Sequence, residues 1–266
     1  MKTLGIDLST EPAETGVCLI EWEADVPRAS FPGYDKKRDN ELLLGLMGDD
    51  QCACTAIDAP FGWPEQFREA LNAYACEDRW ERWRGTEGFD FDKKRSWLGR
   101  RRTDYFIYKK TEEKGAALTP FSVGASLFSA TAMRCAELLV DYYKDKGELK
   151  RVDGPVVETY PAAARVRWQC AASPASADKP SGRSDRAWRY AWFCLIKREC
   201  KLELPPKERS RVAQQKGGHD FDALICALVA RAAGRAGTFP PSKGDKQRAK
   251  REGWIHMPKC SLSDLQ

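Results

Sequence analysis

The stretch Gly217-Gly218-His219-Asp220-Phe221-Asp222-Ala223-Leu224-Ile225-Cys226-Ala227-Leu228-Val229-Ala230 constrains the fold more than any other part of the chain. It reads as a helix with polar chemistry in its first turn and a core-like apolar body after it. His219 and Asp222 are three residues apart and share one helical face. One of the two histidines in the chain sits here. An imidazole and carboxylates at the mouth of a core helix need a hydrogen-bond partner, a metal ion or solvent to be tolerable.

The rest of the sequence supplies layers for such a helix to pack on. Residues 3–8 read as a short strand ending at Asp7. Ser9, Thr10 and a turn with Pro12 and Gly16 follow, and residues 17–22 return as the second strand of a hairpin. Residues 40–47 read as a short helix. Residues 54–57 form an apolar strand that stops at Asp58-Ala59-Pro60, and 61–64 is a loop by its Pro and Gly content. Residues 121–144 predict an amphipathic helix packing through Leu127, Met133, Ala136, Leu139 and Val140. Residues 156–161 form another short strand, carrying Glu158 at its end, and 186–200 are helical. The opening helix runs from His219 to Ala233 and stops at Gly234 or Gly237.

Two regions differ in character. Residues 65–114 predict an insertion or cap of irregular helices, rich in Trp (Trp80, Trp83, Trp97) and in clustered cations (Lys93-Lys94-Arg95, Arg100-Arg101-Arg102). Residues 238–266 predict a basic extension: 243–251 as a solvated loop, 253–257 as a small edge strand. Residues 173–184 are a Pro/Ser/Ala/Gly-rich loop. Strands alternating with helices imply a layered α/β fold, here as one domain over 1–266. In such sheets ligands sit beyond the carboxyl ends of the strands, which is where Asp7, Asp58 and Glu158 fall.

Composition bounds the function classes. At 266 residues the chain can bury one sizeable core. Apolar residues at 42% and charged residues at 31% are an ordinary soluble balance. A net charge of +5 permits an acidic partner such as nucleic acid without demanding one. No apolar run approaches the roughly 18 residues of a membrane span. The first residues lack a signal-peptide pattern, so a cytoplasmic protein is expected. The ten cysteines include no C-x-x-C pair. Cys18, Cys54, Cys135, Cys194 and Cys226 lie in apolar segments and are expected to be buried thiols, not zinc ligands.

Several carboxylates gathered without a cation repel one another. A hard divalent ion, Mg²⁺ or Mn²⁺, removes that cost and matches oxygen ligands. Two such ions roughly 4 Å apart suit phosphodiester cleavage, one activating water and the other stabilising the leaving oxygen. A single His can join as a Mn²⁺ ligand or hold the attacking water. Plainer roles stand beside these. Asp7 and Asp58 suit turns, Asp220 suits a helix cap, and Asp222 suits the helix dipole. The dipole does not account for His219. Glu158 can ligate a metal or pair with an Arg. Arg102 and Asp104 can form a local ion pair. The Trp and Arg mixture of 80–102 suits a packed cap, or a nucleic-acid surface of aromatic faces and cations; it is also a candidate for homo-oligomer contacts.

Gly5-Ile6-Asp7-Leu8-Ser9, Ala56-Ile57-Asp58-Ala59-Pro60, Arg102-Thr103-Asp104, Glu158-Thr159-Tyr160-Pro161 and His219-Asp220-Phe221-Asp222-Ala223-Leu224 occur in this order. Together they resemble the bacterial and archaeal domain-of-unknown-function family four-two-nine, described as predicted nucleases of ribonuclease H-like fold. The layout is more distantly similar to RuvC-type Holliday junction resolvases. The resemblance implies a three-layer fold with a central mixed sheet and cleavage of DNA or RNA with Mg²⁺ or Mn²⁺. It places Asp7, Asp58, His219 and Asp222 on the metal positions, with Glu158 and Asp220 as further candidates. It sets Arg102, Asp104 and Ser9 near the substrate, with Arg102 steadying a phosphate. The Trp-rich segment departs from RuvC, so substrate choice does not carry over.

Two other classes share the core. An ATP-using phosphotransferase of the actin–hexokinase type would use Gly5–Thr10 as its first phosphate loop. That class places glycine beside its second Asp, whereas Asp58 is followed by Ala-Pro, whose bulk blocks approach of backbone N–H groups to phosphate. A catalytically silent binding protein could also keep the fold, although unneeded clustered acids destabilise it.

Overall fold

The structure, a computed structural model, describes residues 1–23, 26–35, 37–77, 79, 99–123, 128–169 and 186–266. Among these residues the chain forms a five-stranded mixed sheet and nine α-helices, an α/β architecture. The strands are β1 (Lys2–Asp7), β2 (Gly16–Glu21), β3 (Arg28–Ser30), β4 (Cys52–Asp58) and β5 (Val156–Glu158). The helices are α1 (Asn40–Met47), α2 (Glu65–Glu77), α3 (Arg102–Glu112), α4 (Phe128–Tyr143), α5 (Pro161–Gln169), α6 (Arg186–Cys200), α7 (Pro206–Gln214), α8 (His219–Gly234) and α9 (Lys246–Glu252).

The strand order is β3-β2-β1-β4-β5. The first three strands are antiparallel neighbours; β4 runs parallel to β1, and β5 parallel to β4. Alternation along the strands divides the core in two. Cys18, Ile20, Cys54, Ala56 and Val157 pack on one face against α8, with α6 and α7 beyond it. Leu4, Ile6, Val17, Ile57 and Val156 pack on the other against Leu43 and Met47 of α1 and Cys135, Leu138 and Leu139 of α4. The sheet therefore lies between two helical layers.

Helix α8 is the central element. From Asp220 to Ala230 every residue is buried. Its backbone is pinned to β1 where the Thr3 hydroxyl donates to the Ala227 carbonyl at 3.0 Å and accepts from Trp22 Nε1 at 2.8 Å. Two glycines set the approach. A Cβ on Gly5 would lie 2.0 Å from the Ala223 carbonyl oxygen, and one on Gly16 would lie 2.0 Å from that of His219. Only residues without side chains at these two points let the helix lie so close to the β1–β2 hairpin.

Several sequence expectations need correction. The long helix begins at Phe128, not 121, and Leu127 lies outside the described residues. Its packing face is Ala132, Cys135, Leu138 and Leu139; Met133 and Val140 are 63% and 59% exposed. Met133 and Val140 mark a second stripe, seven residues apart, on the outer side of the same helix. Residues 246–252 form α9 instead of a solvated loop, with Ala249 and Glu252 turned inward. Trp254 follows, buried, donating to the Phe239 carbonyl at 2.9 Å and lying 4.9 Å from the Phe106 ring. Ile255 makes a single parallel bridge to Glu158, a small edge contact as expected of 253–257. Cys194 is exposed, whereas Cys18, Cys54, Cys135 and Cys226 are buried. Trp80, Trp83, Trp97, the Lys93-Lys94-Arg95 cluster and the loop 173–184 lie outside the described residues. Among the described residues no helix is long and apolar enough to cross a membrane.

Candidate active site

Asp7 and Asp58 end adjacent parallel strands and are register partners. Neighbouring strands lie about 4.8 Å apart, and residues in register point to the same face. The two carboxylates therefore leave the sheet side by side, on the face covered by α8. Both residues are largely buried.

His219 completes this corner. Gly217 and Gly218 both adopt left-handed backbone, with φ of 84° and 76°, conformations that suit glycine. The turn they make launches α8 beside the ends of β1 and β2. A Cβ on Gly217 would also lie 2.7 Å from His219 Nε2, so the imidazole lies against the turn itself. Its Nδ1 is 2.8 Å from Asp7 Oδ2. A carboxylate only accepts, so Nδ1 carries the proton and donates.

Asp222 follows one turn later on the same helical face, with its side chain 1% exposed. Its Oδ1 accepts from Arg165 Nη1 of α5. The Arg165 guanidinium also lies over the rings of Trp188 and Phe221, at 5.3 and 5.9 Å from their centroids. Cys226 is the next residue along this face, and it is buried. Burial first, then the charges of Asp58, Asp7 and Asp222, push its thiol well above the ordinary range, while Arg165 opposes them.

The remaining expected residues are engaged elsewhere. Asp220, on another side of α8, accepts from Arg38 Nη1 at 2.6 Å, from the Val17 N–H at 3.3 Å and from Gln215 Nε2 at 3.3 Å. These bonds lock α8 to β2 and place Asp220 in a structural ion pair apart from the Asp7–His219 contact. Glu158 is in register with Ile57, not Asp58, and so points to the opposite face of the sheet from the Asp7–Asp58 pair. There it takes both Arg101 Nη atoms, at 2.6 and 2.9 Å, and the Phe61 N–H at 3.0 Å. Burial nonetheless holds its carboxyl above the ordinary range, with Arg101 opposing.

Asp104 is fully buried and pairs with Arg101 at 3.1 Å while accepting the Arg101 N–H at 2.7 Å, which starts α3. It acts as a capping residue inside the protein. Arg102 donates from Nε to Asp245 at 2.6 Å and from its backbone to Glu252 at 2.9 Å, tying α3 to α9. Ser9 Oγ accepts the Glu11 N–H at 3.2 Å, and its carbonyl accepts from Arg134, whose Nη1 also donates to Thr15 Oγ1 at 2.8 Å.

Arg165 is the site residue that the sequence reading missed. It lies on a helix that starts at Pro161, directly after a strand, where Tyr-Pro reads as the strand's end. The only available signal was the spacing of Ala163, Ala164 and Trp168, which are all buried in α5.

The donor set bears on the expected metal. Among the described residues, no three His, Cys, Asp or Glu side chains converge into a group that could hold an ion by themselves. Asp7 and Asp58 still offer adjacent hard oxygen donors. Such a pair fits one Mg²⁺ or Mn²⁺ that keeps water or substrate oxygens in its other positions.

A family model described as "Protein of unknown function (DUF429)" matches residues 5–245. No curated protein and no solved structure matches the chain.

Proposed function

The chain belongs to this family over residues 5–245, and we propose that it is a divalent-metal-dependent nuclease with a ribonuclease H-like core, hydrolysing phosphodiester bonds of DNA or RNA. The observation that carries the reading is the Asp7–Asp58 pair, in register on adjacent parallel strands, with His219 at 2.8 Å from Asp7. A mixed sheet between two helical layers supports the fold, with the acids at the carboxyl ends of its parallel strands. The net charge of +5 suits a polyanionic substrate.

Asp7 and Asp58 would hold the ion. When bound, it would polarise a phosphate oxygen and lower the pKa of water beside it. The Nδ1–H of His219 fixes the Asp7 carboxylate, as partners of ligating carboxylates do. The same hydrogen bond turns Nε2 away from Asp7, where it can accept a proton from attacking water. Arg165 offsets the charge of Asp222. Beside Asp58, Ala59 and Pro60 are both buried, and Pro60 has no N–H to offer a phosphate. This favours hydrolysis over the ATP-binding reading.

The test pairs cleavage with binding. Purified protein is expected to cut labelled DNA or RNA with Mn²⁺ or Mg²⁺, and Mn²⁺ alone should raise its melting temperature. Asp7→Asn and Asp58→Asn should lose both effects and keep the fold by circular dichroism. Tight ATP binding, with no divalent-ion shift in the absence of nucleotide, would sink the proposal.

A further inference from the structure

The carboxylate cluster already contains a cation. Asp222 is almost completely buried, and Arg165 is bound to it with a side-chain exposure of only 12%. The guanidinium is caged as well as paired, because Trp188 and Phe221 present ring faces to it at 5.3 and 5.9 Å. Guanidinium is weakly hydrated and stacks on aromatic faces, which makes it suited to a permanent interior position. His219 stands one turn before Asp222 on the same face of α8 and reaches Asp7 at 2.8 Å, and Asp7 is the register partner of Asp58, so the Arg165–Asp222 pair lies next to the Asp7–Asp58 corner. One divalent ion and one guanidinium balance three carboxylates; a second divalent ion would overcharge the cluster or have to expel Arg165.

We infer that Arg165 is the resident second cation of this site: the Asp7–Asp58 pair takes a single divalent ion, and the Arg165 guanidinium neutralises Asp222 where a two-ion centre would place another metal. The inference rests on the metal-binding part of the proposed function and sets its stoichiometry. Arg165 is a positioning residue in this scheme. It holds Asp222 in place and keeps the charge of the cluster fixed whether or not substrate is present. The geometry also gives α5 a role at the site: its first turns carry the cation to the mouth of α8.

Counting Mn²⁺ on the full-length protein by isothermal titration calorimetry, checked by electron paramagnetic resonance of free Mn²⁺, tests this without reference to activity. The wild-type protein is expected to bind one Mn²⁺ per chain. Arg165→Gln removes the positive charge held against Asp222 and should bind two, whereas Arg165→Lys keeps that charge and should stay at one. If Arg165→Gln does not fold, the charge-balanced double variant Arg165→Gln/Asp222→Asn serves instead and should keep one ion. Two ions on the wild-type protein would overturn the inference and leave the nuclease reading standing. Loss of the ion in the double variant would also overturn it, by making Asp222 a ligand. No ion on the wild-type protein would overturn both.

Discussion

Gly5 lies directly beneath Ala223, so close that a Cβ on Gly5 would sit 2.0 Å from the Ala223 carbonyl oxygen and 2.2 Å from the Ala227 nitrogen. Both obstacles are helix backbone, which cannot rotate aside. Gly5→Ala is therefore expected to cost at least the upper part of the about 1–3 kcal/mol typical of overpacking, read as a shift in urea midpoint. Because α8 carries His219, the same change should shrink the Mn²⁺-induced rise in melting temperature. Gly45 is the control. It lies in α1 with nothing within 4 Å of its Cβ position, and Gly45→Ala should gain about 0.5–1 kcal/mol.

His219 separates proton transfer from ion binding. If Nε2 accepts the proton of the attacking water, His219→Ala should lower single-turnover cleavage by about 10²–10⁴-fold. Mn²⁺ affinity should fall much less, because Asp7 and Asp58 remain. A comparable collapse of both quantities would recast His219 as a metal ligand.

Arg101 is the hub beneath the site. It is 1% exposed and joins Glu158, Asp104 and the Glu252 carbonyl. Arg101→Met strands two buried carboxylates and is expected to cost about 3–5 kcal/mol in chemical denaturation. Arg101→Met/Glu158→Gln should recover part of that loss, since one of the stranded charges is then gone. An equal loss in both variants would show that packing of the guanidinium, not charge, dominates.

His256 gives the protein an acid-sensitive element. Its Nε2 donates to the Val152 carbonyl at 3.1 Å, and its Nδ1 accepts from the Thr238 hydroxyl at 2.9 Å, the pattern of a neutral ring. Burial holds its pKa below the ordinary 6.5. The unfolded chain thus takes up a proton near that pH which the folded chain refuses. This contribution to stability is complete above pH 6.5 and declines as pH falls from there toward the folded pKa. Melting temperatures across that window should fall less steeply for His256→Gln than for the wild-type protein.

The sequence exposed some parts of this arrangement and hid others for physical reasons. β1, β2, β4, β5, α1, α6 and α8 have clear apolar patterns closed by Gly, Pro or acidic residues, and they lie where the pattern puts them. β3 has only three residues, with Ala29 as its single buried position. α7 buries only Val212 and Ala213, α9 is mostly charged, and α5 begins with the Pro that seemed to close a strand. At the site, Asp7 and Asp58 were legible because each ends an apolar strand. Glu158 ends a strand too, but its face depends on pairing register, which one sequence does not contain. Arg165 was hidden with its helix, and so the cation facing Asp222 was hidden as well.

The hydrogen bond between His219 and Asp7 spans 212 residues of chain. At synthesis rates of about 5–20 residues per second, roughly ten to forty seconds separate the making of its two partners. Throughout that interval the β1–β2 hairpin has no α8 to cover Cys18 and Ile20, and Gly5 and Gly16 face an empty slot. The nascent chain therefore carries an open apolar strip until His219–Gly234 has been made, and that strip can close on α8 or on another molecule.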